Sequence, residues 1–506
     1  MSFEHGKSTT VTTPKGTLRG YKQNDVYHFC GIEYGKAERF QPAKEIEPWS
    51  GVKEATNYGY TCPPFLPDTT GNTLKSPHRF WINNEDCLNL NVWTRSINSD
   101  VRKPVLVWFH GGGFNNGSAL DLYAFDGCNI ADKGDVVVVN INHRLNVLGY
   151  LDLRAFGEKY KYSANVGNWD LICALKWVQE NIECFGGDKN NVTIFGQSGG
   201  GGKTISVMNM PASAGLYHKA MVMSGVTANL MKPQDITPTD IIKHFMEMCE
   251  MNDVSELETI PQRALADGYI ASYKDLGGKG MPRLAPSKGW DFIGDPSENG
   301  FTEYAKNTPM MIGSNFSEFC NLPKQYVRCE MSDEEMTQAL EKELGKEIAD
   351  AVIPAFLRKF PDKKIIDILQ YDAAAFRQGT KEFFKKRLEE GCAPTYEYMF
   401  SPTIGINDGS MPQHNSDISY FYYNTDFVPS NDIGEATKVL EGYMSGCLVN
   451  FAYTGVPSAE GLCKWEPATM ENSPTMVFDR DSRIEYGLDD EFLDLLVKSG
   501  FYAFKI

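Results

Sequence analysis

An apolar run meets a glycine-rich turn at Val192-Thr193-Ile194-Phe195-Gly196-Gln197-Ser198-Gly199-Gly200. Residues 192–195 carry no charge, which predicts a strand buried on both faces of a sheet. A helical pattern begins at Thr204, so a tight strand-to-helix turn is expected between them. At such a turn a Cβ on residue 196 or 200 would collide with neighbouring backbone, and glycine is expected at both positions. The stretch predicts a fold in which buried strands alternate with helices.

The same alternation extends over most of the chain. Helical patterns lie between and after these strands, and together they indicate an α/β fold with a large, mostly parallel central sheet flanked by helices. The residues before 61 instead contain short β segments around turns, which predicts a small antiparallel N-terminal sheet. The apolar runs are 105–109, 136–139, 220–223, 310–312 and 396–400, and the helical patterns are 171–185, 333–347, 366–388 and 436–451.

Composition and charge limit the class of protein. The chain has 506 residues, of which 42% are hydrophobic and 12% aromatic, as expected for a globular protein. No repeat, low-complexity tract or linker divides it, so residues 1–506 are predicted to form a single domain. A net charge of −17 disfavours binding to nucleic acid or to an anionic membrane. The 12 cysteines include no CxxC pair, which argues against a zinc ribbon or a thioredoxin-type site.

The N-terminal residues bear on location. Residues 1–10 lack the apolar segment of a signal peptide, and no stretch of the chain approaches about 18 consecutive apolar residues. We therefore expect a cytoplasmic protein without a membrane anchor. If a leader was removed before this sequence begins, secretion becomes the expectation.

Ser198 is the candidate nucleophile. It occupies the centre of a G-x-S-x-G motif, in the strand, turn and helix context that holds a reactive serine at the end of a sheet. The turn forces the serine into a strained backbone conformation and leaves the Gly199 N–H beside it. A phosphate-binding loop is the competing interpretation, because Gly202-Lys203-Thr204 resembles the end of that motif. The motif needs glycine at position 197, where Gln197 stands, so we disfavour it.

A second glycine run follows the predicted strand 105–109 and reads His110-Gly111-Gly112-Gly113-Phe114. Three glycines allow backbone N–H groups to approach a ligand without side chains in the way. Acyl transfer needs such donors at the oxygen that becomes negative in the tetrahedral intermediate. The loop therefore predicts an oxyanion hole.

The acid and the base are expected to follow the nucleophile along the chain. The histidines that do so are His218, His244 and His414. A packing role is the better interpretation for His218 and His244, which lie beside a predicted strand and within a helical pattern. His414 lies in a polar loop, where catalytic residues concentrate, and is the predicted base. Glu318 follows the predicted strand 310–312, but spacing alone does not separate it from an ordinary surface carboxylate.

These motifs together resemble the type-B carboxylesterase and cholinesterase branch of the α/β-hydrolase fold, and the bacterial carboxylesterases most. The resemblance implies that Ser198 is the nucleophile, Glu318 the acid and His414 the base. It extends over most of the chain and includes Gly31-Ile32, Arg39-Phe40, Pro48-Trp49-Ser50-Gly51-Val52, Glu85-Asp86-Cys87-Leu88-Asn89-Leu90-Asn91-Val92-Trp93, Asn165, Gly167, Asp170 and Ala174-Leu175-Lys176-Trp177-Val178.

The resemblance implies further roles as well. It assigns the oxyanion hole to the N–H groups of Gly112, Gly113 and Gly199. It also implies a disulfide between Cys62 and Cys87, whereas a cytoplasmic location would keep both thiols reduced.

Several residues depart from the family pattern. Gln197 stands where the family commonly has glutamate, which makes a choline ester a less suitable substrate. Glycines at 199–202 are each about 0.8–1 kcal/mol less favourable than alanine in a helix, so we predict a frayed or tightly packed helix start. Met231 stands where cholinesterases have an acyl-pocket tryptophan, which indicates a softer, wider acyl site. Trp81, Phe114 and Met231 are predicted to line the substrate pocket.

The expected function is serine ester hydrolysis through an acyl-enzyme intermediate, on small-molecule esters with short to medium acyl chains. Neither a metal nor an organic cofactor is expected. The alternative is a cholinesterase-like binding protein that keeps the fold without the chemistry. Such members usually lack part of the triad, whereas all three positions are filled here. The natural substrate, the choice among esters, lipids, carbamates and amides, and the oligomeric state do not follow from the sequence.

Overall fold

A large sheet forms the centre of the protein in the computed structural model, which describes residues 2–67, 76–227 and 234–501. Twelve strands form it, in the order β1-β4-β5-β9-β11-β10-β12-β13-β14-β15-β16-β17. The seven neighbours from β11 to β16 run parallel, and the strands at both ends are antiparallel. The prediction of a large, mostly parallel sheet is confirmed. The strands are β1 (Phe3–Glu4), β2 (Thr10–Thr12), β3 (Thr17–Arg19), β4 (Tyr21–Gln23), β5 (Val26–Glu33), β6 (Gly35–Lys36), β7 (Lys44–Glu45), β8 (Val52–Glu54), β9 (Asn89–Thr94), β10 (Lys103–Phe109), β11 (Val137–Ile141), β12 (Gly187–Gln197), β13 (Lys219–Met223), β14 (Met310–Asn315), β15 (Thr395–Phe400), β16 (Pro474–Phe478) and β17 (Arg483–Tyr486).

A small N-terminal sheet is also present, as predicted. Strands β2 and β3 pair antiparallel, and β8 joins β3 in parallel. The neighbouring strands β1, β4 and β5 instead extend the edge of the large sheet, antiparallel to one another.

Helices cover both faces of the large sheet, and β10 shows why. Val105, Val107 and Phe109 pack in one core cluster with the helix Val166–Asn181, whereas Leu106 and Trp108 pack in another with the helix Ala436–Thr454. Because successive side chains of a strand point to opposite faces, a strand between two helical layers needs an unbroken apolar run. No helix among the described residues is both long and apolar enough to cross a membrane. The α-helices are α1 (Cys128–Gly134), α2 (Asn146–Gly149), α3 (Val166–Asn181), α4 (Gly199–Met208), α5 (Pro238–Met248), α6 (Gln262–Asp275), α7 (Pro296–Asn299), α8 (Glu303–Lys306), α9 (Asp333–Leu344), α10 (Lys346–Lys359), α11 (Arg377–Glu389), α12 (Ser416–Phe421), α13 (Ala436–Thr454) and α14 (Leu493–Lys498).

The prediction of one continuous helix at 366–388 is wrong. A 3₁₀-helix spans Ile365–Gln370, and α11 begins only at residue 377. Asp372 causes the break, because its carboxylate accepts the backbone N–H groups of residues 375–377. Aspartate competes in this way with helical hydrogen bonds and favours a helix start over a helix interior. The break brings the residues just before α11 to the candidate site.

Candidate active site

Ser198 connects β12 to α4 as a single residue. Its φ of 59° and ψ of −128° lie in a region that residues with a side chain rarely adopt. A hydrogen bond from Ser198 N to Met223 O, at 2.8 Å, ties this turn to the neighbouring strand β13. The half-buried serine therefore lies at the carboxyl end of the parallel strands, where α/β folds bind their ligands.

Close backbone contacts require the glycines around this turn. A Cβ on Gly196 would lie 2.5 Å from Phe109 O, and one on Gly200 would lie 2.0 Å from the same oxygen. A Cβ on Gly199 would lie 2.2 Å from Gly113 O. Of the two outcomes predicted for the glycine run, the helix start is the tightly packed one.

The glycine loop after β10 lies against the turn. A Cβ on Gly199 would lie 2.4 Å from Gly113 N, and one on Gly111 would lie 3.5 Å from Ser198 Cβ. Gly112 and Gly113 have φ values of 86° and 62°, which glycine adopts without strain. Among the described residues, no acceptor is found for the N–H groups of Gly112 and Gly113. Gly199, as the first residue of α4, has no acceptor within the helix. Three backbone donors are therefore available beside Ser198.

Glu318 and His414 come together from two loops. Glu318 Oε2 lies 2.5 Å from His414 Nδ1, and His414 N donates to Glu318 O at 3.0 Å. The other carboxylate oxygen, Oε1, accepts the Ser224 hydroxyl at 2.5 Å and the Asn315 N–H at 2.7 Å. Because Glu318 is also only 1% exposed, these contacts hold its carboxylate in one orientation, in which Oε2 faces the imidazole.

Three side chains surround the imidazole of His414. Phe376 stacks on it with ring centroids 5.0 Å apart and an interplanar angle of 14°, and the Phe319 ring lies 4.2 Å away at 38°. The amide nitrogen of Gln197 lies 3.3 Å from both imidazole nitrogens. In the part of the chain that the structure describes, no hydrogen bond joins the Ser198 hydroxyl to His414. Because it is equidistant from the two nitrogens, the Gln197 amide nitrogen lies over the face of the imidazole ring.

Two further carboxylates are buried near Glu318. Asp417 accepts the Tyr398 hydroxyl at 2.8 Å, and Asp372 accepts the N–H groups that begin α11. Burial, and after it the charge of Glu318, raise the pKa of each aspartate to about 6. Both carboxyl groups are therefore protonated at a higher pH than an exposed aspartate is.

The other two histidines after Ser198 lie away from this group. His218 precedes β13 at its amino end, opposite to Ser224, and its Nδ1 accepts the Val192 N–H at 3.1 Å. His244 lies on α5, with its Nε2 3.6 Å from an Asp275 oxygen.

A cavity of about 550 Å³ opens beside the turn and is bordered by Gly111, Gly112 and Gln197. Trp81 lines it, 41% exposed and edge-on to Tyr58 with ring centroids 5.7 Å apart. The cavity is lined by apolar and polar side chains in similar measure, so it suits a ligand with both kinds of group.

Phe114 and Met231 are the other two residues predicted for the pocket. Phe114 does not line this cavity; it is 1% exposed and packs edge-on against Tyr150 in the core, with ring centroids 5.0 Å apart. Its place directly after the glycine loop turns it inward, away from the cavity. Met231 lies outside the described residues.

Cys62 and Cys87 are both buried free thiols. A hydrogen bond with Cys62, together with burial, raises the pKa of Cys87, so the two thiols are neighbours. The disulfide between them stays a prediction. Within residues 2–67, 76–227 and 234–501, no group of three or more His, Cys, Asp or Glu side chains is arranged to hold a metal ion.

Sequence reasoning does not identify Ser224, Phe376 and Lys203 as residues of this site. A signal existed for Ser224, because it directly follows a parallel strand next to the strand of the candidate nucleophile. Phe376 reaches the site only through packing of distant segments, and no local pattern marks it. Lys203 is close to Ser198 along the chain, but its contact with His110 O exists only after α4 has packed against the end of β10.

Comparisons with known proteins identify the family. The carboxylesterase family model matches residues 7–496. The para-nitrobenzyl esterase of Bacillus subtilis (strain 168) is 30% identical over 500 residues, covering 95% of this chain and 97% of that protein. A solved esterase from the anaerobe Clostridium hathewayi, which can hydrolyse aliphatic aromatic polyesters, has a TM-score of 0.94 and 38% identity, covering 98% of this chain and 99% of that one. The predicted α/β-hydrolase fold is confirmed, and the chain belongs to the carboxylesterase family and is a carboxylic ester hydrolase.

Proposed function

We propose that the protein hydrolyses esters through an acyl-enzyme formed on Ser198, with His414 as base and Glu318 as acid. The observation that carries this proposal is the 2.5 Å pairing of Glu318 Oε2 with His414 Nδ1, at the end of the sheet where Ser198 lies. A binding protein without the chemistry is the less suitable alternative, because the serine, the histidine and the glutamate that the reaction needs are all present.

The chemistry follows from the roles of these atoms. The Ser198 hydroxyl attacks the ester carbonyl carbon and its proton passes to His414 Nε2, which later returns it to the leaving alcohol. Glu318 accepts Nδ1–H and stabilises the imidazolium formed in between. A water molecule, deprotonated by the same nitrogen, then releases the acid.

Stabilisation of the oxygen that becomes negative in the tetrahedral intermediate is the second requirement of this reaction. Gly112, Gly113 and Gly199 are proposed to donate their backbone N–H groups to it. Loss of one such donor typically costs about 2.7–4 kcal/mol of transition-state stabilisation. The absence of competing acceptors for Gly112 and Gly113 among the described residues supports this role.

We infer that the substrates are small-molecule esters with short to medium acyl chains. A cavity of about 550 Å³ beside the turn supports a small-molecule substrate, because small-molecule sites usually measure about 300–1,000 Å³. The rim of the cavity also exposes Phe80 by 50% and Trp81 by 41%, which suits an aromatic ester. Together with the resemblance to the Clostridium hathewayi esterase, this makes an aliphatic aromatic polyester a second substrate to test.

Hydrolysis of p-nitrophenyl acetate, butyrate, octanoate and palmitate, with Ser198→Ala alongside, tests the proposal. We expect the wild type to prefer the shorter esters and the variant to lose at least about a thousandfold in kcat. An aliphatic aromatic polyester film, assayed by acid release, tests the second substrate with the same two proteins. Equal rates for wild type and variant would overturn the role of Ser198, and a preference for palmitate would overturn the proposed acyl range.

A further inference from the structure

Lys203 is a fully buried lysine behind the glycine loop. It lies on α4, five residues after Ser198, and its side chain is 0% exposed. Its Nζ donates to His110 O at 2.8 Å and lies 3.5 Å from Gly111 O. Both carbonyl groups belong to the loop that is proposed to hold the negative oxygen.

The surroundings of this lysine do not favour a cation. Among the described residues, no carboxylate oxygen lies within 4.0 Å of Nζ, and the lysine sits near the helix N-terminus, where positive charge is disfavoured. Burial lowers the pKa of Lys203 to about 7, and Asp121 and Cys62 oppose this only in part. An apolar side chain of the same length would fill this volume without desolvating an amine. Packing alone therefore gives no reason for a lysine here.

The short hydrogen bond of Lys203 is accepted by His110 O, which belongs to the peptide before Gly111, and the longer 3.5 Å contact with Gly111 O reaches the next peptide. Gly111 O and Gly112 N belong to one peptide, so a hydrogen bond accepted by the oxygen polarises the N–H on its other side. His110 Nδ1 donates to the same oxygen at 2.8 Å. Gly117 leaves room for these contacts, because a Cβ there would lie 2.6 Å from Gly111 O.

We propose that Lys203 is a positioning residue for ester hydrolysis: through its hydrogen bond to His110 O it fixes the start of the glycine loop, so that the Gly112 N–H is ready for the negative oxygen of the tetrahedral intermediate. The inference rests on the proposed function. Its contribution is made in the transition state, where that oxygen carries charge, and not in the bound ester, whose carbonyl oxygen is neutral. Lys203 is thus expected to affect kcat more than KM.

Lys203→Met tests the proposal, because methionine keeps most of the length and removes the donor. We expect kcat for p-nitrophenyl butyrate to fall about 10- to 100-fold, with KM within about threefold. Inhibition by a butyl trifluoromethyl ketone, whose serine adduct carries a negative oxygen, should weaken by a similar factor. Lys203→Gln keeps a shorter donor and should lie between the wild type and Lys203→Met in both measurements.

Thr204→Val is the matched control. It removes a buried polar group from the next position of α4, and its hydroxyl contacts Gly200 O at 2.9 Å and not the glycine loop. We expect its kcat and inhibitor affinity to stay within about threefold of the wild type. A Lys203→Met protein with wild-type kcat and inhibitor affinity, whatever its melting temperature, would overturn the proposal.

If Lys203→Met does not accumulate as folded protein, Lys203→Gln carries the test, and a wild-type kcat for that variant overturns the proposal. If Ser198→Ala is inactive while both Lys203 variants are fully active, only the role of Lys203 fails. If Ser198→Ala keeps the wild-type rate, the proposed function itself fails.

Discussion

Four residues of the candidate site have backbone conformations that residues with a side chain rarely adopt. Ser198, Ser224, Glu318 and, next to the base His414, Asn415 have φ values of 59°, 44°, 48° and 75°, and the first three are residue types for which this conformation is uncommon. Such a conformation costs on the order of 1–3 kcal/mol and persists only where neighbouring contacts hold it. The hydrogen bond from Ser224 to Glu318 joins two of these residues directly. The strained backbone of Glu318 and its hydrogen bond with Ser224 therefore act together to hold the Glu318 carboxylate in place.

The orientation of that carboxylate leads to a prediction for Glu318→Gln. A glutamine can turn its amide N–H₂ toward Nδ1, which favours the wrong imidazole tautomer and removes the charge that stabilises the imidazolium. We expect kcat for p-nitrophenyl butyrate to fall by about 10³–10⁴-fold with little change in melting temperature. Glu334→Gln, on the exposed face of α9, should keep the wild-type kcat. A loss of less than tenfold in Glu318→Gln would mean that another group orients His414.

The start of α4 shows how packing overrides helix propensity. Alanine is a better helix former than glycine by about 1 kcal/mol, yet four glycines stand at 199–202. A Cβ on Gly200 would meet the end of β10 at Phe109 O, and one on Gly199 would meet the glycine loop after that strand. A Cβ on Gly201 would instead meet the backbone of Gly225. Alanine at these positions would therefore lose more through a clash with neighbouring backbone than it would gain in helix propensity. Backbone atoms cannot rotate away from such a clash as a side chain can.

Two glycine-to-alanine variants separate these effects. Gly200→Ala should lower the free energy of unfolding by about 1–3 kcal/mol, because its Cβ would lie 2.0 Å from Phe109 O. Gly442→Ala, inside α13 with no atom within 4 Å of its Cβ, should raise it by about 0.5–1 kcal/mol. Thermal unfolding followed by circular dichroism measures both. A stabilised Gly200→Ala would contradict the packing explanation.

A buried ion network connects segments that are distant along the chain. Arg377, at the start of α11, pairs with Glu397 of β15 at 2.8 Å and with Asp489, in the loop before α14, at 2.5 Å. Lys381 adds a second cation on Asp489 at 2.6 Å. Burial by itself would raise the pKa of Asp489, but Arg377 and Lys381 more than offset this and hold the pKa well below its usual value. The network therefore stabilises the protein as long as the carboxylate is ionised.

Arg377→Met tests this network. It leaves two buried carboxylates short of a cation, and we expect a loss of about 3–5 kcal/mol at neutral pH. Because the folded-state pKa of Asp489 is depressed, its stabilisation is present above the unfolded pKa of about 3.9 and is lost as pH falls below it. The difference in melting temperature between wild type and variant should therefore shrink below about pH 4. Arg358→Met is the control: it removes the exposed ion pair with Glu491 and should change the free energy of unfolding by at most about 1 kcal/mol. A similar loss of stability in both variants would contradict the role of burial.

Several features follow from short stretches of sequence, and others depend on contacts between distant ones. The strands at 105–109 and 192–195 and the glycines at 196 and 200 are predicted correctly, because burial on two faces and a tight turn each impose a local pattern. The single domain, the cytoplasmic location and the catalytic roles of the site residues stay predictions.

The residues alone are enough to predict the alternation of buried strands and helices, the two glycine loops and the candidates Ser198 and His414. Packing is needed to show that Asp372 interrupts a helical pattern, that Phe114 turns into the core, and that Ser224 orients Glu318. The difference lies in the range of the interactions. Apolar periodicity and glycine conformation act within a few residues, whereas a buried hydrogen bond between positions 224 and 318 exists only after the strands that carry them have packed side by side.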